Sequence, residues 1–246
     1  MRCLILLVVL GALFAPLPRD ASAARAATTL VPAELPPDEK ITRTTVAADL
    51  KNIYLSPLKL DPIKTSGIIL GTAYLMRHDV EIYNHVDQKM RTPEINAFMD
   101  KITWLGDGAV DLGIAGVFYL AGEEETAYKA ANAVVYAGLA TRVLKIAVGM
   151  PRPETGAGQE NEWFTLKETY DAMPSGHTAT AFALAEVLAR QYPRYKWYFY
   201  GTATVVGISR IYVNAHWASD VLAGAAIGVY SARHVNANST LFSVKF

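Results

Sequence analysis

From residue 66 to residue 234 the chain is a nearly unbroken series of helical candidates, and few segments alternate with the period of two that a half-buried strand requires. No strand-helix-strand rhythm appears either. The expectation is an all-α fold built as a single helical bundle. Residues 66–77 are apolar and punctuated by glycine, and Thr92-Pro93-Glu94 supplies the side-chain cap and first-turn proline of a helix running through Phe98 and Ile102. Further helices are expected at 109–121, 125–148, 175–191, 197–213 and 218–234. Ahead of them, Asp49 to Pro62 reads as a segment docked across the bundle surface through Ile53, Tyr54, Leu55, Leu58 and Leu60. There Pro57 and Pro62 should limit any helix.

With 246 residues, 52% of them hydrophobic, the chain can bury the core of one domain, and its formal net charge of zero gives no reason to expect nucleic acid as a partner. Met1-Arg2, the apolar run Cys3 to Ala15 and the small residues Ala21-Ser22-Ala23 have the order of a secretory signal peptide, residues 1–23. The apolar run falls short of the ~20 residues a membrane span needs. The sole cysteine, Cys3, lies inside this segment, so the processed chain contains neither a disulfide nor a thiolate nucleophile. Residues 24–48 form a small, polar, proline-broken lead, and 49–246 the helical domain. Apolar runs interrupted by Asp111, Arg142, Lys145 and Glu186 favour a periplasmic or cell-envelope bundle. Membrane association is left open by the density of small residues in the helices and by Trp197-Tyr198-Phe199-Tyr200; an integral membrane protein is the alternative.

Three stretches concentrate chemistry within 76 residues: Lys145 with Arg152-Pro153, then Pro174-Ser175-Gly176-His177, then Ser209-Arg210 with His216 and Asp220. His216 and Asp220 stand four residues apart, about one helical turn. A carboxylate so placed can fix the imidazole tautomer and leave the other ring nitrogen free to attack. Ser175 and Gly176 precede His177 at an expected helix start, where unpaired N–H groups and the helix dipole favour an anion. Lys145, Arg152 and Arg210 can surround the oxygens of such an anion. No spacing of Asp, Glu and His suggests a metal site, so the expected chemistry is independent of metal and cofactor.

The pattern KX6RP, PSGH, SRX5HX3D resembles the type 2 phosphatidic-acid phosphatase superfamily, which includes lipid phosphate phosphatases, bacterial class A acid phosphatases and vanadium haloperoxidases. Every motif position is matched, and the resemblance runs from about Asp49 to about His234. It implies the helical bundle of the acid phosphatase and vanadium haloperoxidase type. By resemblance His216 is the nucleophile that forms a phosphohistidine, Asp220 its partner and His177 the general acid. Lys145, Arg152, Ser175, Gly176 and Arg210 bind phosphate. The implied partner is a phosphorylated small molecule or lipid, with a phosphate monoester or diphosphate hydrolysed at the cell envelope. Vanadate-dependent peroxidation and non-catalytic anion binding are the alternatives. Oligomeric state does not follow from the sequence, and the loop 154–173 reads either as a lid or substrate rim or as a solvated connector.

Overall fold

The structure, a computed structural model, describes residues 46–155 and 160–238. The expected signal peptide and the lead up to residue 45 lie outside the described residues. Among the described residues every regular element is a helix. They are α1 (Val46–Leu60), α2 (Pro62–His85), α3 (Pro93–Ile102), α4 (Gly108–Leu120), α5 (Glu124–Val148), α6 (Gly176–Gln191), α7 (Lys196–Tyr212) and α8 (Ala218–Asn238). A π-type turn, Val86–Met90, continues α2, and a 3-10 turn, Thr103–Gly106, joins α3 to α4.

The helix starts follow local chemistry. Thr92 Oγ1 accepts from the Ile95 amide with Pro93 at the first helical position, and Asp107 accepts from the Ala109 amide. Pro62 likewise opens α2 behind an Asp61 cap. Pro57 does not stop α1, which continues through it to Leu60. A proline inside a helix removes a single backbone donor, and its carbonyl remains in use, accepting from the Asp61 amide and the Thr65 hydroxyl. Helix α2 also extends eight residues beyond the expected 66–77. The extension carries Asp79, a charged residue that packing buries against the start of α8.

Helix α6 is the centre of the bundle, packed against α5, α7 and α8, while α8 also lies against α5 and α2. Its buried positions include Ala179, Ala181, Ala183, Ala185 and Ala189, side chains small enough to let neighbouring backbones approach. The approach to α8 is as close as a helix pair allows. A β-carbon on Gly224 would lie 2.5 Å from the Ser175 carbonyl oxygen, and one on Gly228 2.2 Å from that of Ala179.

Helix α1 is fastened at the other side of the bundle. Asp49, fully buried, accepts from the Tyr136 hydroxyl at 2.5 Å and lies 2.9 Å from His234 Nε2 on α8, while the Tyr54 hydroxyl donates to the Ala140 carbonyl at 2.7 Å. Among the described residues one stretch, Glu124–Thr155, is long and apolar enough to cross a membrane, and half of its most apolar window is buried in the bundle.

Candidate active site

The three motifs are stitched together by main-chain hydrogen bonds at one end of the bundle. Lys145 occupies the last turn of α5, which closes on Gly149 in the left-handed region (φ 54°), its amide donating to the Lys145 carbonyl. A side chain on Gly149 would also collide with the Glu162 carbonyl, 1.8 Å from an added β-carbon. The returning loop completes the α5 terminus. Glu162 N donates to Gly149 O, Asn161 Nδ2 to Val148 O and Phe164 N to Ala147 O, so the carbonyls a helix end leaves over are used. The Ala172 amide to Met150 carbonyl bond, 2.9 Å, then lays the end of the loop beside Arg152.

The segment from Arg210 to Asp220 receives the other two motifs. Asn214 adopts φ 58°, a conformation asparagine tolerates, and turns the chain so that the amides of Ala215 and His216 both donate to the Arg210 carbonyl. Arg91 donates to the Asn214 side chain and holds the turn from outside. The Trp217 indole donates to the Pro151 carbonyl at 2.8 Å, which ties this segment to the residue before Arg152. The Ser175 amide donates to the Asp220 carbonyl at 3.0 Å, which ties it to the start of α6. These bonds explain why the spacings matter, since each motif is anchored by the backbone of another.

Ser175 caps α6: its Oγ accepts from the Thr178 amide at 3.4 Å and from the Thr178 hydroxyl at 2.9 Å. The side chain is fully buried, so the plain capping role of PSGH is real and coexists with any role in binding. Gly176 is different. The nearest atom to an added β-carbon would be Thr141 Oγ1 at 4.0 Å, leaving this helix start open to close approach.

His216 Nδ1 lies 3.4 Å from Asp220 Oδ2, and both side chains are buried. The same Oδ2 accepts from the Trp217 amide at 2.8 Å and so fixes the carboxylate at the start of α8. His216 Nδ1, Asp220 Oδ1 and Arg210 Nε are buried without a protein hydrogen-bond partner. Burial, followed by the charges of Lys145, Arg210 and Arg152, holds His216 well below the ordinary imidazole range. Burial pushes Asp220 up to about 8 against the opposing hydrogen bond from Trp217. His177 is pushed down to about 4, first by burial and then by the Arg210 charge, with Asp107 opposing. The site therefore disfavours the charged forms of Asp220, His216 and His177, while its fixed cations favour an incoming anion.

All eight expected site residues come together at this end of the bundle. Three further groups were missed by sequence reasoning. Thr103 accepts from Arg210 Nη1 at 2.6 Å, and Asp171 accepts from Arg152 Nε at 2.6 Å and Nη2 at 3.1 Å. Asp79 Oδ1 accepts from the Ser219 amide at 3.0 Å and Oδ2 from the Ser219 hydroxyl at 2.5 Å, so α2 helps to fix the α8 start beside Asp220. Asp79 and Thr103 sit more than 100 residues from their partners and carry no local signal. Asp171, three residues before Pro174, could have been suspected as a charge beside a basic motif. Arg142 is exposed and Asp111 is buried in the first turn of α4; neither joins the cradle contacts. Among the described residues no group of three His, Cys, Asp or Glu side chains could hold a metal ion.

Comparison with known proteins finds similar chains among phosphatases. Over 63 residues the chain is 54% identical to a lipid A 1-phosphatase of Porphyromonas gingivalis, covering 24% of this chain and 14% of that protein. Over 98 residues it is 37% identical to a lipid A 1-phosphatase of Rhizobium etli, covering 39% and 42% respectively. The matches thus span less than half the length of these curated relatives. Among solved structures, Aquifex aeolicus LpxE superposes with a TM-score of 0.54 at 25% identity, over 63% of this chain and 92% of that one. The profile of the PAP2 superfamily matches residues 126–240, the stretch that contains Lys145, Arg152, Ser175, Gly176, His177, Arg210, His216 and Asp220, and over that stretch the sequence belongs to that superfamily.

Proposed function

We propose that the protein is a cell-envelope phosphatase that hydrolyses a phosphate monoester or diphosphate, lipid-linked in its natural setting, through a phosphohistidine on His216. The observation that carries this reading is the convergence of three cations and an open helix start on a buried His–Asp pair. The printed names of the curated relatives, lipid A 1-phosphatases, support a phosphorylated lipid over the peroxidase and pure binding alternatives.

The proposed chemistry follows from the geometry. With Nδ1 of His216 turned toward Asp220, Nε2 attacks phosphorus; the N–P bond forms as the bond to the leaving oxygen breaks. Lys145, Arg152 and Arg210 stabilise the equatorial oxygens. His177 gives its proton to the leaving oxygen, then takes one from the water whose oxygen displaces His216 from phosphorus. Because burial and Arg210 hold His177 down to about 4, the negative charge of the phosphoryl group is what draws the proton onto its ring.

The setting proposed is the periplasmic face of a membrane, after removal of a leader near Ala23. On α4, Ala109, Leu112, Gly113, Gly116, Val117 and Leu120 share one exposed face without a charge, and Leu120 is 86% exposed. Such a face suits contact with lipid. The decisive experiment measures phosphate release by the purified protein from matched lipid diphosphates, lipid monophosphates and soluble esters, with and without detergent. Release from lipid substrates is expected to dominate, and no release from any of them sinks the assignment. Sequencing of the mature N-terminus and carbonate extraction test the setting. An intact Met1 in a carbonate-resistant protein would replace it with an integral membrane phosphatase.

A further inference from the structure

The proposed cradle contains a carboxylate that the motifs do not include. Arg152 directs Nε and Nη2 at the two oxygens of Asp171, a fork that uses one whole edge of the guanidinium. Lys145 Nζ donates to the main-chain carbonyl of the same residue and lies 3.7 Å from its Oδ2. Two of the three cations are therefore held by one residue, at the end of the loop whose role the sequence left open. Glu154 approaches Arg152 Nη1 at 3.8 Å, but it is half exposed and water screens its charge. Asp171 is only 18% exposed, and its backbone is fixed by the Ala172 to Met150 bond.

We infer that Asp171 is a built-in counter-charge that trims the affinity of the site for phosphate, acting through Lys145 and Arg152 and not on the substrate itself. The inference rests on the phosphatase reading and adds to it a means of product release. Three fixed cations in a buried site would hold inorganic phosphate tightly, and a turnover cycle ends only when that ion leaves. A carboxylate locked against two of the cations lowers their net charge without removing their donors. Burial pulls Lys145 down to about 8, and the Asp171 charge opposes that fall while the neighbouring Arg152 charge adds to it. Although burial favours its neutral form, the Arg152 hydrogen bonds and the Lys145 charge prevail and hold the Asp171 carboxyl below its ordinary range, so the counter-charge persists across the physiological range.

The test is direct calorimetry of inorganic phosphate and orthovanadate binding to the full protein and to Asp171→Asn, which keeps the shape and an acceptor for Arg152 but removes the charge. Binding of both anions should tighten on the order of tenfold. Asp171→Ser, a second neutral variant, should tighten it in the same direction, and Asp171→Glu, which keeps the charge, should not. A residue with a purely structural role gives unchanged or weaker binding when replaced, so either result in a folded neutral variant overturns the inference. Failure of both neutral variants to reach a wild-type-like melting transition overturns it too, by making the carboxylate a scaffold counter-ion. Wild-type protein that binds neither anion overturns the phosphatase reading along with it, whereas wild-type binding without tightening in the variants leaves that reading intact.

Discussion

The protein buries two histidine–aspartate pairs, one at each end of α8, and they differ in everything but composition. His216 and Asp220 lie 3.4 Å apart with buried atoms left unpaired, ringed by Lys145, Arg152 and Arg210. His234 and Asp49, about 27 Å further along the helix at 1.5 Å per residue, meet at 2.9 Å, and Tyr136 fills the other carboxylate oxygen. The second pair is a satisfied tie that holds α1 on the bundle. The first is an under-satisfied pair in a field of positive charge, an arrangement that costs stability and is kept where chemistry needs it. Surroundings, not the two side chains, separate a site from a pin.

The sharpest way to break this contrast is to remove each histidine. His216→Ala is expected to bring phosphate release to background and to abolish base-stable, acid-labile covalent phosphate on the protein, while His234→Ala retains the turnover of each folded molecule within about twofold. Radiolabelled substrate followed by rapid quench reads both, and phosphate still bound covalently to the His216→Ala protein sinks the nucleophile assignment. The carboxylates come next. Asp220→Asn should lower kcat by roughly 10²- to 10⁴-fold with the fold retained, by loss of the carboxyl group that orients the imidazole. A kcat unchanged by Asp220→Asn would mean that the 3.4 Å approach is incidental.

At the other end the expected loss is in stability. Asp49→Asn or His234→Ala should destabilise the bundle by about 1–3 kcal/mol, because each leaves a buried partner unsatisfied. Denaturant melts of the purified variants measure it, and a transition indistinguishable from wild type would remove the pinning role. The smallest effect is a proton count. His177 is held down to about 4 before an anion binds, so phosphate or vanadate binding should raise it and draw up a fraction of a proton near pH 6. Calorimetry in two buffers of different ionisation enthalpy detects this uptake, and the signal should vanish in His177→Ala. The same group has a stability consequence. Its folded-state value lies below the ordinary imidazole value of about 6.5, so the unfolded chain binds the extra proton between the two, and stability rises with pH across that window.

Much of this was readable from the chain. The helices from Thr92 onward and the three motifs are local patterns, a cap followed by a periodic run or a charge at fixed spacing, and local patterns survive in one dimension. The ends of α2 and the passage of α1 through Pro57 were not, because there tertiary packing overrode the breaker. Asp79, Thr103 and Asp171 were hidden for another reason. Each acts on a motif residue from outside the motif, and only the folded chain shows that Thr103 meets Arg210 or that Asp79 meets Ser219. His234 carries no local signal either; its partners, Asp49 and Tyr136, lie 185 and 98 positions away along the chain.

The glycine contacts between α8 and α6 have a consequence for mutational tolerance. Gly224 lies against the carbonyl of Ser175, the residue that opens the phosphate-facing helix start, so an added methyl group there has nowhere to go except into the catalytic geometry. Positions on the outward faces of the same helices can vary with little effect, whereas this seam converts the loss of a single hydrogen atom into displacement of the reacting groups. Directed evolution of the protein toward new substrates should therefore accept changes at the exposed loop residues Trp163 and Leu166 and reject them along Gly224 and Gly228, leaving substrate choice adjustable while the chemistry stays rigidly inherited.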